Sequence, residues 1–186
     1  MRPRLPGVPA APHSSQAQAL RASLGAAAER FVDALHEACA LAGLAWVFRV
    51  SSHMKITGAR RGRIEGVLTG LSVVDAMGWT CDGRAVAVEI KHVASETLRG
   101  GGEAAWRLPL DRIEPHQRAM LRRCERAGGL ALLLVVHGGR AYAVPWREVE
   151  AAIEAGAASL LRADLEPHLC DPRRPYLARW VSPRAA

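Results

Sequence analysis

Two carboxylates and a lysine, Asp75, Glu89 and Lys91, are spaced so that one β-hairpin can bring them together. Residues 73–79 and 84–92 are rich in β-branched and apolar side chains, and Asp82-Gly83 between them is a turn signal. With a three-residue loop, Cys81-Asp82-Gly83, and Gly83 left-handed, Thr80 pairs with Arg84 and Asp75 falls opposite Glu89. Their Cβ atoms then lie about 5 Å apart on one face. A two-residue Asp82-Gly83 loop instead shifts the register by one and separates them. Alternation keeps Glu89 and Lys91 on the shared face and turns Val88 and Ile90 into a core.

Facing carboxylates repel unless a cation sits between them, and Mg²⁺ accepts one or two carboxylates while keeping several waters. Mn²⁺ can take its place. Such an ion acidifies water and stabilises charge on a phosphate, while the Lys91 ammonium orients the water or holds a phosphate oxygen. This is the chemistry of phosphodiester hydrolysis. A Glu-x-Lys pair on a hairpin is also a common surface pattern, but the composition argues for a chemical role. Of 25 Lys and Arg, only Lys55 and Lys91 are lysines, and arginine cannot give up a proton.

The elements around the hairpin follow from periodicity and punctuation. Ser23 is a candidate N-cap for a helix to about Ala42, with Leu24, Ala28, Phe31, Val32, Leu35 and Cys39 on one face and Gly43 as its stop. Glu29 lies at the border of that face, where it can add an outer oxygen to a metal site. Residues 45–51 read as a strand. The basic, glycine-containing stretch from His53 to Arg63 reads as a phosphate-contacting loop or projecting ribbon through Lys55, Arg60, Arg61 and Arg63. Residues 93–111, with three consecutive glycines, read as a mobile loop at the site. A helix over 114–127 follows, with Ile113, Met120, Leu121 and Cys124 inward and Gly128-Gly129 ending it. His116 and Gln117 occupy its first turn, a position that favours a phosphate if the helix N-terminus points at the hairpin. Residues 130–136 and 141–144 read as strands about a turn, and 146–155 and 159–163 as short helices.

At 186 residues and 49% hydrophobic composition the chain can bury one core. It divides into a disordered, basic, Pro-rich arm over 1–20, a folded domain over 21–165 and a Pro- and Arg-rich tail over 166–186, with Tyr176 and Trp180 as packing anchors. A net charge of +7 and a pI near 10.0 point to a polyanionic partner, nucleic acid before membrane. No apolar run approaches the ~20 residues of a transmembrane helix, and the first 18 residues lack the apolar segment of a signal peptide. Cys39, Cys81, Cys124 and Cys170 form no C-x-x-C pair and read as reduced thiols of a cytoplasmic protein.

The order Gly25-x-x-x-Glu29, Asp75, Glu89-Ile90-Lys91, Leu108-Pro109-Leu110-x-x-Ile113-x-x-His116-Gln117, Gly128-Gly129, apolar strand and Tyr142 resembles the RecU-type Holliday junction resolvases of the PD-(D/E)XK nuclease superfamily. The resemblance spans Gly25 to about Pro145. It implies an α/β fold with a central mixed sheet flanked by helices, a homodimer, and Mg²⁺-dependent incision of four-way DNA junctions in recombination and repair. It further implies that Asp75, Glu89 and the Ile90 carbonyl bind metal, that Lys91 serves the attacking water, that Glu29 supports the metal shell and that Gln117 positions nearby groups. Residues 52–66 take the place of the family's stalk, although that segment is short for one, and the glycines at 100–102 depart from the pattern. Other nucleases with this core, VRR-type or restriction-type, and a catalytically silent DNA-binding relative are the alternatives.

Overall fold

The computed structural model of the protein describes residues 15–50, 54–60, 63–68, 74–93, 106–171 and 173–182, with backbone alone over 15–25, 54–60 and 63–68. Residues 1–14 of the arm expected over 1–20, Arg61 and the glycine-rich stretch 94–105 lie outside the described residues. Within them the chain is an α/β structure built on a five-stranded mixed sheet flanked by helices, with strand order β1-β4-β5-β7-β8. These strands are β1 (Ala45–Arg49), β4 (Ala76–Thr80), β5 (Ala85–His92), β7 (Leu130–His137) and β8 (Arg140–Pro145). β5 and β7 run parallel and every other neighbouring pair is antiparallel. A parallel pair needs a crossover, which here contains α2 (Pro115–Arg126).

Both faces of the sheet are covered at β7, which explains why that strand reads LALLLVVH with no polar alternation. Val86, Val88, Leu130, Leu132 and Leu134 pack toward α1 (Ser15–Leu41), whereas Ala87, Ala131, Leu133 and Val135 pack toward α2 and α3 (Trp146–Glu154). Leu133 is fully buried, and truncating such a leucine to alanine costs about 2–5 kcal/mol.

The hairpin turn takes the three-residue form. The Thr80 amide donates to the Arg84 carbonyl at 2.9 Å, the Gly83 amide donates to the Thr80 carbonyl at 2.9 Å, and Gly83 has φ 90°. Ala76 consequently pairs with Val88, and the next step along the ladder sets Asp75 against Glu89. Beside the hairpin turn, where Cys81 donates to Leu44, α1 stops in a Schellman arrangement: Gly43, at φ 64°, donates to Ala40 and Leu44 donates to Cys39.

Several elements differ from the sequence expectation. α1 begins at Ser15, so Ser23 lies inside the helix instead of capping it. The upstream run QAQALRAS consists mostly of good helix formers and carries the helix past a usable cap. The basic segment is a two-stranded antiparallel ribbon of β2 (Met54–Arg60) and β3 (Arg63–Leu68), with Arg60 opposite Arg63. Part of the expected 93–111 loop is strand: β6 (Arg107–Pro109) pairs with β9 (Ser159–Leu161), where a helix over 159–163 is the expectation. The helical turn α4 (Arg162–Leu165) starts only after β9. The C-terminal segment folds back onto α1, burying Tyr176, Leu177 and Val181 in the core beneath it.

Candidate functional site

The register of the hairpin delivers Asp75 and Glu89 to neighbouring positions at one end of β4. Asp75 precedes the first residue of the strand. Its carbonyl accepts from Val50 at 2.9 Å, and its side-chain Oδ2 accepts from the Ile90 amide at 2.8 Å. The carboxyl is thus pinned between β1 and β5. Glu89 lies within β5 and is 0% exposed. One oxygen, Oε1, meets Lys91 Nζ at 2.7 Å; Oε2 has no hydrogen-bond partner.

Burial pushes the Glu89 carboxyl up to about 7, against the downward pull of Lys91 and with a further upward push from Asp75. A buried carboxylate with a bare oxygen and a like charge beside it is destabilised in its ionised form. A cation placed there would remove that penalty.

Lys91, with a side chain 13% exposed, also donates to Gln117 Oε1 at 3.2 Å. The same oxygen accepts from the Glu114 amide at 2.9 Å, as the N3 half of a capping box that starts α2. Gln117 therefore ties the first turn of α2 to the lysine of β5. His116 stands half-buried in that turn.

On the α1 side of Asp75 a cavity of about 140 Å³ is lined by Glu29, Val32, Arg49, Asp75, Ile90 and His92. Glu29 reaches this cavity but its Oε2 is engaged by Arg49 at 3.3 Å. His92 and Arg49 are not among the site residues expected from the sequence. Strand alternation could have found His92, two residues beyond Ile90 and on its face. Burial lowers the His92 pKa while the Asp75 and Glu29 carboxylates raise it. Lys55, Arg60 and Arg63 lie on the β2–β3 ribbon, where the side chains are not described.

Among the described residues no group of three or more His, Cys, Asp or Glu gathers to hold a metal by itself. Mg²⁺ needs fewer, because it is commonly held by one or two carboxylates with waters and substrate phosphates. Asp75 and Glu89 meet that requirement, and the unpartnered Glu89 Oε2 is an open donor for it. All four cysteines are free thiols. No helix among the described residues is long and apolar enough to cross a membrane. Compared with known proteins, the chain matches no family model, and no curated protein matches it in sequence.

Proposed function

We propose that the protein is a Mg²⁺-dependent DNA endonuclease of the PD-(D/E)XK type, acting on branched DNA such as four-way junctions. The observation that carries this reading is the buried Glu89, paired with Lys91 on one oxygen, bare on the other and flanked by Asp75. An ion pair serving only the fold would gain nothing from a second carboxylate alongside it.

In this reading Asp75, Glu89 and the Ile90 carbonyl hold Mg²⁺, or Mn²⁺ in its place. When bound, the ion supplies positive charge to the scissile phosphate and acidifies water. Lys91 directs its ammonium at the attacking water or at a phosphate oxygen, and Glu89 and Gln117 fix its position. Water adds to phosphorus as the P–O bond to the departing strand breaks, leaving a phosphate end and a hydroxyl end. Glu29 supports the metal shell from across the cavity it shares with Asp75. The first turn of α2, with His116, receives a phosphate at its N-terminus. Lys55, Arg60, Arg61 and Arg63 hold the DNA backbone, in keeping with the +7 net charge. Reduced thiols suit work on DNA in the cytoplasm. The RecU-type resemblance narrows the substrate to junctions and adds a homodimer.

The test is cleavage in Mg²⁺ of labelled four-way junction, Y-fork, linear duplex and single strand at equal concentration. Paired nicks confined to the junction support the full reading, and uniform cutting reduces it to a general nuclease. Binding without cutting in Mg²⁺ or Mn²⁺ overturns the enzyme and leaves a DNA-binding protein.

A further inference from the structure

β1 is an outer strand of the main sheet, with no strand paired to its outer edge among the described residues, and an exposed aromatic patch adjoins that edge. Trp46, Phe48 and Trp79 are 63%, 38% and 50% exposed. Their ring centroids lie 5.2 Å (Trp46 to Phe48), 5.8 Å (Trp46 to Trp79) and 5.9 Å (Phe48 to Trp79) apart, so the three form one surface. An apolar edge strand with unpaired main-chain groups is a template for another strand unless proline, lysine or a covering segment blocks it. β1 contains neither residue type. Its one charge, Arg49, is drawn onto α1 by Glu29 at 3.3 Å and Asp33 at 4.0 Å.

The phase of the edge is fixed by its inner neighbour. Val50 donates to Asp75 and Cys81 donates to Leu44 across the β1–β4 ladder. Leu44, Trp46, Phe48 and Val50 therefore turn their main-chain groups inward, and Ala45, Val47 and Arg49 turn theirs outward.

We propose that a second copy of the chain covers this edge, β1 pairing antiparallel with its counterpart about Val47 to make a homodimer with one continuous sheet. Centred there, Val47 meets Val47 of the partner subunit and Ala45 meets Arg49 of the partner subunit. Both are pairs that exchange main-chain hydrogen bonds, so every outward group of the three residues is satisfied. Trp46 faces Phe48 of the partner subunit in the closely spaced kind of pair, with Cα atoms about 4.5 Å apart. The two aromatic patches merge. Charge is self-complementary as well. Arg49 of the partner subunit arrives beside Ala45, at the groove where Glu37 stands exposed without an ionic partner among the described residues.

The two-fold axis of such a pairing runs perpendicular to the sheet, so both Asp75–Glu89–Lys91 clusters lie on the same face. Five inter-strand steps of about 4.8 Å separate β5 from β5 of the partner subunit, and each cluster lies level with Val50, three residues from the axis and in opposite directions in the two subunits; about 24 Å across the strands and about 20 Å along them place the clusters about 31 Å apart. This consequence rests on the nuclease reading, whereas the dimer itself does not. Two equivalent centres on one face suit paired incisions in a substrate with two-fold symmetry.

Sedimentation of the full chain across a concentration series tests the interface without reference to cleavage. The parent should sediment at twice the 20.0 kDa chain mass, and Trp46→Glu/Phe48→Glu should be monomeric with an unchanged far-UV spectrum. Should that variant misfold, chains carrying Trp46→Cys can be mixed with chains carrying Phe48→Cys and oxidised. A disulfide between positions 46 and 48 in the mixture, absent from either variant alone, supports the register. A monomeric parent, or a dimer that persists in the double glutamate variant, overturns the proposal. So does a monomeric parent whose double glutamate variant loses single-stranded DNA binding, which would make the aromatic patch a base-stacking platform.

Discussion

The cost of keeping Glu89 ionised is the property of this protein most open to measurement. Its carboxyl is raised to about 7 in the folded chain against an ordinary 4.5. Below about pH 4.5 both folded and unfolded states carry the proton and stability is unaffected. Between 4.5 and 7 the unfolded state releases it first, so the parent loses stability as pH rises, and above 7 the loss levels off. Glu89→Gln lacks this proton, so its stability advantage over the metal-free parent should grow across that window. The advantage should reach on the order of a few kcal/mol, since each tenfold change in proton affinity is worth about 1.4 kcal/mol. Denaturant melts at several pH values measure it, and a flat difference would return Glu89 to an ordinary ion pair. Mg²⁺ should then raise the melting temperature of the parent and leave Glu89→Gln unmoved. Lys91 separates chemistry from scaffold. Lys91→Arg keeps the charge but loses the compact ammonium held between Glu89 and Gln117. Single-turnover cleavage by saturating enzyme should slow by a hundredfold or more, on the order of 3 kcal/mol, with DNA affinity retained. A rate within a few-fold of the parent would mean that Lys91 acts only as a counter-ion.

At the scale of elements, the β1–β4 contact has its own weak point. A Cβ at Gly78 would lie 2.0 Å from the Trp46 carbonyl oxygen, so Gly78→Ala must push the edge strand away from the sheet. We expect it to cost at least 1–3 kcal/mol, as overpacking does, and to lower the thermal midpoint; an unchanged midpoint would show that β1 is not held against β4 as described. The β2–β3 ribbon is tested differently. Replacing Arg60, Arg61 and Arg63 with alanine should weaken DNA binding and lower the slope of log affinity against log salt by about 0.9 per lost phosphate contact. An unaltered slope would make the ribbon a solvated appendage. Local signals make some elements legible in the sequence. The Cys81-Asp82-Gly83 loop is readable because a left-handed glycine selects its register, and α2 because Glu114 and Gly128 mark its ends. The β6–β9 pair is not, since three-residue strands more than fifty positions apart leave no periodicity. Ser159-Leu160-Leu161 precedes Arg162-Ala163, good helix formers, and only β6 alongside makes it extended. In the site, helical periodicity brings Glu29 toward Asp75, but its Arg49 partner depends on how β1 meets α1, which spacing alone does not encode.

For the whole molecule, the decisive fact is that the stretch after Glu166 completes the core. Tyr176, Leu177 and Val181 pack with Val32, Cys39 and Val47 on the α1 side of the sheet. Burying one such side chain is worth about 1.5–3 kcal/mol, and three together rival the 5–15 kcal/mol by which domains are stable. Removing residues 166–186 should therefore abolish the cooperative thermal transition, with dye-binding apolar surface in its place. A truncated chain that still melts sharply at the parent temperature would show the segment to be dispensable.

The same arrangement sets a timetable for the chain during its synthesis. The Tyr176 hydroxyl meets His36 Nδ1 at 3.1 Å across 140 positions of sequence. α1, made before the strands it packs on, cannot be sealed against the sheet until residues near 181 have left the ribosome. Translation at roughly 5–20 residues per second leaves the apolar side of α1 exposed for about 7–28 s after it emerges. A chaperone that shields short apolar helices should therefore raise the yield of folded protein more than one acting after release. Slowing translation downstream of residue 41 should lower that yield.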